Sequence, residues 1–562
     1  MFSSLNFVSR RSTLTCLNGC VASSQTIASE IGVDILRKGG NAADAAVAVA
    51  AALSVVEPYS TGLGGDMFCL YYDGKSSTIQ GINGSGASPK KMTIDHLQEL
   101  GFSEFNKMSE RSVHCVTVPG ACAGWVDCHA NFGSGILDLK DLLTPAISLA
   151  KDGFAVPGPI TAKEWEEMVA HLIGNKYGEE LLVKDSTSGE LRAPEMGEVF
   201  KNPGLANVLQ SIADKGKDGF YKGWVAKSIV DIIKHHGGIL DHEDLEEHFT
   251  DFVEPISVEY KGLRLWEIPP NSQGIVALEV LNILKNFNLE EMAHNSADYL
   301  HLLIEAVRLS FADSLQHCAD MNHCHVPIEK LLNDDYGKMQ AQAINKTKSM
   351  VIPVLDDPPD GRGDTVYFTT ADKEGNFCSF INSTYMKFGT GIVPEGCGFA
   401  LQNRGWNFSL KPGHPNVVAP KKRPYHTIIP AMVTDAKTGK LVLSFGVMGG
   451  FMQPQGHVQV LLNMKLFGMD PQQALDAPRF LVGSGHGGAQ GAVSLEEGIP
   501  ECVCSSLISR GHNIVGPVRG YNRARFGRGQ VIAKTKIWST DETTDVLWAG
   551  SDPRSDGSAV GY

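Results

Sequence analysis

Fifteen consecutive residues, Ala42 to Val56, are alanine, valine or leucine except for Asp44 and Ser54. A helix built from them has no polar face, so it has to be buried on every side. Asn41 offers an N-cap, and Asp44 places a carboxylate three residues later at the positive end of the helix dipole. The run is too short to cross a bilayer and carries a charge, so it reads as a core helix. A chain of 562 residues has room for two to four domains or for one large α/β unit.

Composition narrows the classes. Hydrophobic residues make up 43% and charged residues 20%, which excludes a wholly disordered chain, collagen and a coiled-coil filament. A net charge of −14 repels phosphate backbones, so no nucleic-acid partner is expected. Twelve cysteines are too dilute for a disulfide scaffold and form no pair of CxxC motifs, as in a cytosolic protein with reduced thiols. Arg10 and Arg11 precede the first acidic residue, Glu30, which gives a basic amino terminus without the apolar core of a signal peptide. A cytoplasmic location with no membrane partner is the expectation.

The buried run ends near Glu57-Pro58. Thr61-Gly62-Leu63-Gly64-Gly65-Asp66 then reads as a glycine loop, and Met67 to Tyr72 as a strand. Leu300, Leu303, Ile304, Val307 and Phe311 recur at helical spacing and predict an amphipathic helix. Val351 to Gly363, with three prolines and three aspartates, is loop chemistry. Thr365 to Thr370 and Phe377 to Ile381 then predict a hairpin whose first residue is Thr365. Leu441 to Phe445 reads as a strand, Gly446 to Gly450 as a glycine turn, and the segment through Leu462 as a helix. That order puts free backbone N–H groups at a helix start, where an anion or oxyanion can bind.

Several chemical signals fail. Gly446 to Gly450 has neither GxGxxG spacing nor the Gly-Lys-Ser/Thr of a phosphate loop. The crowded segment His317 to His325 lacks a matching second pair of ligands, so no metal is expected. No GxSxG elbow is present. What is left is Thr365, heading a hairpin after a polar loop. A threonine hydroxyl becomes a nucleophile when a base is adjacent, and its own freed α-amine can be that base. From spacing alone, Thr365 reads first as a β-branched residue opening a strand.

Gly39-Gly40-Asn41-Ala42-Ala43-Asp44-Ala45 with Thr61 to Asp66 resembles the large-chain signature of the γ-glutamyltransferase (glutathione hydrolase proenzyme) family. Asp364-Thr365-Val366-Tyr367, Phe388 to Val393, and Met448-Gly449-Gly450 resemble its small-chain signature, in the same order along the chain. The resemblance implies an α/β (α+β) N-terminal-nucleophile hydrolase, an αββα four-layer sandwich. It implies a proenzyme that cuts itself between Asp364 and Thr365. Residues 1–364 would form the large chain and 365–562 the small chain, associated as one catalytic domain; a homodimer is allowed. Carried over by position, Thr365 would be the nucleophile and Ser383 the hydroxyl that hydrogen-bonds it. Gly449 and Gly450 would supply the oxyanion hole. No cofactor is implied.

The substrate positions depart from the glutathione-cleaving pattern. The family's carboxylate-binding arginine falls at Ser85. Its Asn, Gln and Asp that grip the glutamyl group fall at Tyr385, Arg404 and Asn407, and its Ser-Ser pair at His426-Thr427. This is similar to a γ-glutamyltransferase-like branch that includes oxamate-type amidohydrolases and acylases. The expected partner is a small-molecule amide. Two activities stay open, cleavage of γ-glutamyl amides such as glutathione and cleavage of a small carboxylated amide without an α-amine. The reading from another class is an unprocessed, non-catalytic family member.

Overall fold

The computed structural model describes residues 11–350, 363–483, 491–539 and 546–562. Two seven-stranded sheets face each other, and every neighbouring pair within them is antiparallel. The first sheet runs Ala559–Gly561, Cys20–Ala22, Gly363–Ala371, Phe377–Met386, Asp66–Asp73, Thr78–Gly84, Asp251–Val253. The second runs Leu14–Cys16, Leu547–Ser551, Arg528–Ala533, Leu441–Met448, Ala431–Asp435, Leu263–Glu267, Ile256–Tyr260. Both sheets take strands from before and from after Thr365.

The period of two along each strand divides the side chains between two cores. In Asp66–Asp73, Met67, Cys69 and Tyr71 join a core with helices Thr26–Arg37, Ala42–Val56, Ala121–Phe132 and Leu139–Asp152. Phe68, Leu70 and Tyr72 point the other way, into a core between the sheets with Tyr367, Ile381, Met432 and Ile532. A third core lies beyond the second sheet, where Leu443, Phe445 and Val447 meet Gly274–Leu284, Ala297–His317 and Met452–Phe467. The layer order is therefore helix, sheet, sheet, helix. Helix Ala42–Val56 is buried at every position and opens with the expected Asn41–Asp44 capping box. Each fully buried valine or leucine in it contributes about 1.5–3 kcal/mol.

Four expectations need correction. The hairpin starts at Gly363, not Thr365, because Gly363 and Asp364 pair with Met386 and Tyr385, and a register shift follows before Val366. Gly446 to Met448 continue the strand; a Cβ on Gly446 would lie 2.5 Å from the Tyr367 ring, so glycine here lets the sheets approach. The turn begins at Gly449, and the following helix runs on to Phe467. Helix Ala297–His317 is not amphipathic in its first half, since His301, Glu305 and Arg308 are buried with the leucines. His301 Nδ1 lies 2.7 Å from His512 Nε2, and Arg308 lies 3.0 Å from Glu305, so the polar positions satisfy one another.

The loop expected at 351–363 falls almost wholly outside the described residues, and of the basic amino terminus only Arg11 lies within them. Among the described residues no helix is long and apolar enough to cross a membrane.

Candidate active site

Along Phe377–Met386 the odd positions Phe377 and Ile381 face the other sheet, and Ser383 continues that parity. On the neighbouring strand Tyr367 and Ala371 do the same, which brings Thr365 to the same face. Thr365 Oγ1 donates to Ser383 Oγ at 3.0 Å. Ser383 Oγ in turn donates to the Asp364 carbonyl at 2.9 Å and accepts the Tyr385 N–H at 2.8 Å. One hydroxyl thus links the Thr365 hydroxyl to the carbonyl of the peptide just before it.

The Gly449–Gly450 turn lies at the same level. Thr369 Oγ1 meets Ser444 Oγ across the sheets at 2.6 Å, and Tyr367 lies against Gly446. Followed two residues further along each strand, that alignment leads from Tyr367 toward Thr365 and from Gly446 toward Met448, the last strand residue before the turn. Gly449 and Gly450 have φ of +128° and +59°, a region open to glycine. Gln273 Nε2 braces the turn through the Gly450 carbonyl at 2.9 Å.

Arg404 is buried beside this pair. Its Nη2 donates to Ser383 Oγ at 3.3 Å and its Nη1 to Thr427 Oγ1 at 2.7 Å, and its guanidinium lies 4.2 Å over the Tyr385 ring. Its Nε–H has no hydrogen-bond acceptor among the described residues. Burial pulls Arg404 down to about 10, while Asp66 and Tyr385 oppose the shift.

Asp66 gathers four hydrogen-bond donors behind Arg404. Its Oδ1 accepts from the N–H groups of Gly86 at 2.9 Å and Gly120 at 3.3 Å, and from Gln402 Nε2 at 2.9 Å. Its Oδ2 accepts from His426 Nε2 at 3.0 Å. The Ile428 N–H donates to His426 Nδ1 at 3.3 Å, which places the ring proton on Nε2. Burial holds His426 well below its ordinary value, so it is neutral, and pushes Asp66 up to about 7 against the pull of Arg404 and its donors.

Of the predicted site residues, Thr365, Ser383, Tyr385, Arg404 and Thr427 are brought together. His426 turns to Asp66 rather than to the hydroxyls. Asn407 donates to the Tyr425 carbonyl at 3.0 Å and lies beside the Tyr385 hydroxyl. Ser85 stands apart, accepting from Asn271 Nδ2 at 3.2 Å and, through its carbonyl, from Arg423 Nε at 2.9 Å.

Sequence reasoning assigned no role to Asp66, Gln402, Glu57, Glu164, Lys387 or Arg528. The signal for Asp66 was the glycine before it: a Cβ on Gly65 would lie 2.3 Å from the Ser383 carbonyl, so the loop must press on the site strand. Arg528 contacts Glu164 at 2.6 Å, Glu57 at 3.7 Å and Asp364 at 3.8 Å, and Lys387 pairs with Glu164 and with Glu167 at 2.6 Å. Burial pushes Glu57 up to about 7.

Two other groups of described side chains are close enough to share an ion. In His301, Glu305 and His512 the polar atoms already bind one another, Asn345 and the cationic Arg308. Cys69, Cys128 and Cys378 are buried thiols in the helix-side core. The segment His317 to His325 is instead organised by Asp320, which accepts the Arg423 N–H at 2.8 Å and pairs with His323 at 3.1 Å.

The family model described as Gamma-glutamyltranspeptidase matches residues 28–562. A glutathione hydrolase-like YwrD proenzyme of Bacillus subtilis (strain 168) is 35% identical over 96% of this chain and 98% of its own. An oxamate amidohydrolase proenzyme of Klebsiella pneumoniae subsp. pneumoniae is 31% identical over 97% of this chain and 98% of its own. The crystal structure of a cephalosporin acylase from Bacillus halodurans superposes with a TM-score of 0.88 at 40% identity, covering 100% of this chain and 98% of that one.

Proposed function

This chain belongs to the gamma-glutamyltranspeptidase family and has the N-terminal-nucleophile hydrolase fold, and from that premise we propose a self-processing amidohydrolase for small amides whose acyl group carries a carboxylate and no α-amine. The observation that carries the reading is the Arg404 guanidinium, 3.3 Å from the hydroxyl that holds Thr365 Oγ1.

In the first stage Thr365 Oγ1 attacks the Asp364 carbonyl carbon. Ser383 takes the hydroxyl proton on one side and supports the carbonyl oxygen on the other. The peptide becomes an ester, and water then releases residues 1–364 from a small chain that starts at Thr365. In the second stage the freed α-amine of Thr365 draws the proton from its own hydroxyl. The hydroxyl attacks the substrate amide, the N–H groups of Gly449 and Gly450 hold the oxyanion, and the amine leaves. Water resolves the acyl-enzyme.

Arg404 selects the acyl group. A buried cation with an unanswered Nε–H attracts a carboxylate strongly. A γ-glutamyl group would also need an anion for its ammonium, and the acid facing Arg404, Asp66, is already engaged by four donors. The relatives support both chemistries, since one is named for glutathione and another for oxamate.

An amine-release assay on the purified, cut protein tests this, with oxamate, a dicarboxylic monoamide and γ-glutamyl anilide as substrates. The first two should turn over. Efficient release from the anilide alone would overturn the substrate class.

A further inference from the structure

The bond broken in self-cleavage joins Asp364 to Thr365, and the Asp364 side chain turns back onto it. The Thr365 N–H donates to Asp364 Oδ1 at 3.1 Å. Strand pairing fixes this arrangement, because Gly363 and Asp364 lie opposite Met386 and Tyr385. Charged and polar groups from four elements face the carboxyl. Arg528, heading its strand, stands 3.8 Å from Oδ1. Glu164 faces it from helix Pro159–Glu166, Lys387 from just after Phe377–Met386, and Ser60 and Glu57 from the loop that follows the buried helix. Burial and the Glu164 charge raise the Asp364 carboxyl above its ordinary value, against Arg528 and Lys387.

We propose that Asp364 gives a proton to the departing nitrogen when the chain cuts itself, so that the residue on the losing side of the bond assists its own release. This rests on the self-processing reading above. Thr365 Oγ1 bonds to the Asp364 carbonyl carbon while its proton passes to Ser383 and the Ser383 proton passes to the carbonyl oxygen. With the carbon tetrahedral, the nitrogen loses amide resonance, becomes pyramidal and turns basic within reach of the carboxyl. The C–N bond breaks as the carboxyl protonates the nitrogen, and the hydroxyl on the carbon returns a proton to the carboxylate as the carbonyl re-forms. An ester and a free α-amine result, with no net gain or loss of protons. An unprotonated amide nitrogen is a poor leaving group, so a donor at this atom is where general-acid help counts. Arg528 is a positioning residue, holding the carboxyl against the bond.

The test follows self-cleavage of the full chain made by cell-free translation, read on denaturing gels as pieces of roughly 39 and 21 kDa, the 60.6 kDa divided in proportion to residues 1–364 and 365–562. The wild-type rate should fall as pH rises through the raised Asp364 pKa, because only the protonated carboxyl donates. Asp364→Asn should cut about 10²–10⁴-fold more slowly and lose that pH limb. Asp364→Glu, which keeps a proton to give, should recover much of the rate and the limb. An Asn variant as fast as wild type, or Asn and Glu variants equally slow, overturns the proposal. Should Asp364→Asn fail to fold, the pH limb of the wild type and its displacement in Asp364→Glu decide, and a flat wild-type profile overturns it. A wild-type chain that never cuts between Asp364 and Thr365 overturns the parent reading instead.

Discussion

Asp66 accepts the Nε2–H of His426 at 3.0 Å with both side chains sealed from solvent. Burial, helped by the nearby Arg404 charge, keeps His426 neutral, and Asp66 is the acid that opposes Arg404. Asp66 sits at about 7, so it is uncharged in mild acid and anionic in mild base.

The first prediction follows from that sign. Below about 7 the Arg404 charge is unopposed and an anionic substrate binds more tightly; above it, Asp66 competes. KM for a carboxylated amide should therefore rise with pH through about 7, and Asp66→Asn should remove the rise. Stability obeys the same linkage. A carboxyl raised from 3.8 holds its proton better in the folded chain, so its contribution is full below 3.8 and lost as pH climbs to about 7. Urea midpoints across that window should fall less in Asp66→Asn, and an unchanged slope would count against the charge assignment.

The second prediction concerns the hydroxyl pair. Thr365→Ala should stay one full-length chain without activity. Ser383→Ala removes the acceptor for Thr365 Oγ1 and the donor to the Asp364 carbonyl together, so self-cleavage should slow by at least about 10²-fold. Amino-terminal sequencing of the small chain checks the cut. A terminus other than Thr365 in active protein would sink the mechanism.

A third prediction addresses the turn. A side chain on Gly449 would strain φ at +128° and bring its Cβ to 3.1 Å from Gly527 Cα. Gly449→Val should tilt the N–H away from the oxyanion and lower kcat by about 10²–10³-fold while most of the chain stays folded. Near-normal kcat in a folded Gly449→Val protein would mean that the turn does not face the substrate.

The parts legible in sequence are the local ones. The uniform run Ala42 to Val56 declared its burial, Asn41 and Asp44 its start, and the strand patterns Thr365 to Thr370 and Phe377 to Ile381 the hairpin. Thr365 and Gly449 were singled out by the resemblance to the γ-glutamyltransferase signatures rather than by any local pattern. Illegible were the contacts between buried polar groups far apart in the chain. Asp66 meets Gln402 and His426 only because strand pairing folds three distant segments together, and no periodicity encodes that. His301 and Arg308 misled for the same reason, since they look like a solvent face until His512 and Glu305 are seen to satisfy them. Ser85 aligned with an arginine position, yet the cation at the site, Arg404, comes from a short 3-10 helix more than three hundred residues later.

The last prediction is about specificity. Arg404 spans two hydroxyls with its two terminal nitrogens, 2.7 Å to Thr427 and 3.3 Å to Ser383, and lies 4.2 Å over the Tyr385 ring. A lysine keeps the charge but not the fork or the stacking plane, so one nitrogen cannot serve both hydroxyls and a bidentate carboxylate. Arg404→Lys should raise KM for carboxylated amides by about 10–100-fold, corresponding to the loss of one charge-assisted hydrogen bond of about 1.5–3 kcal/mol. Self-cleavage binds no external carboxylate and should still reach completion, which separates a binding defect from a folding defect. Glutamyl recognition through other residues makes the opposite forecast, good turnover of γ-glutamyl anilide with little response to the substitution. Steady-state kinetics on both substrates decides between them, and anilide hydrolysis that is both efficient and indifferent to Arg404→Lys would refute the carboxylate anchor.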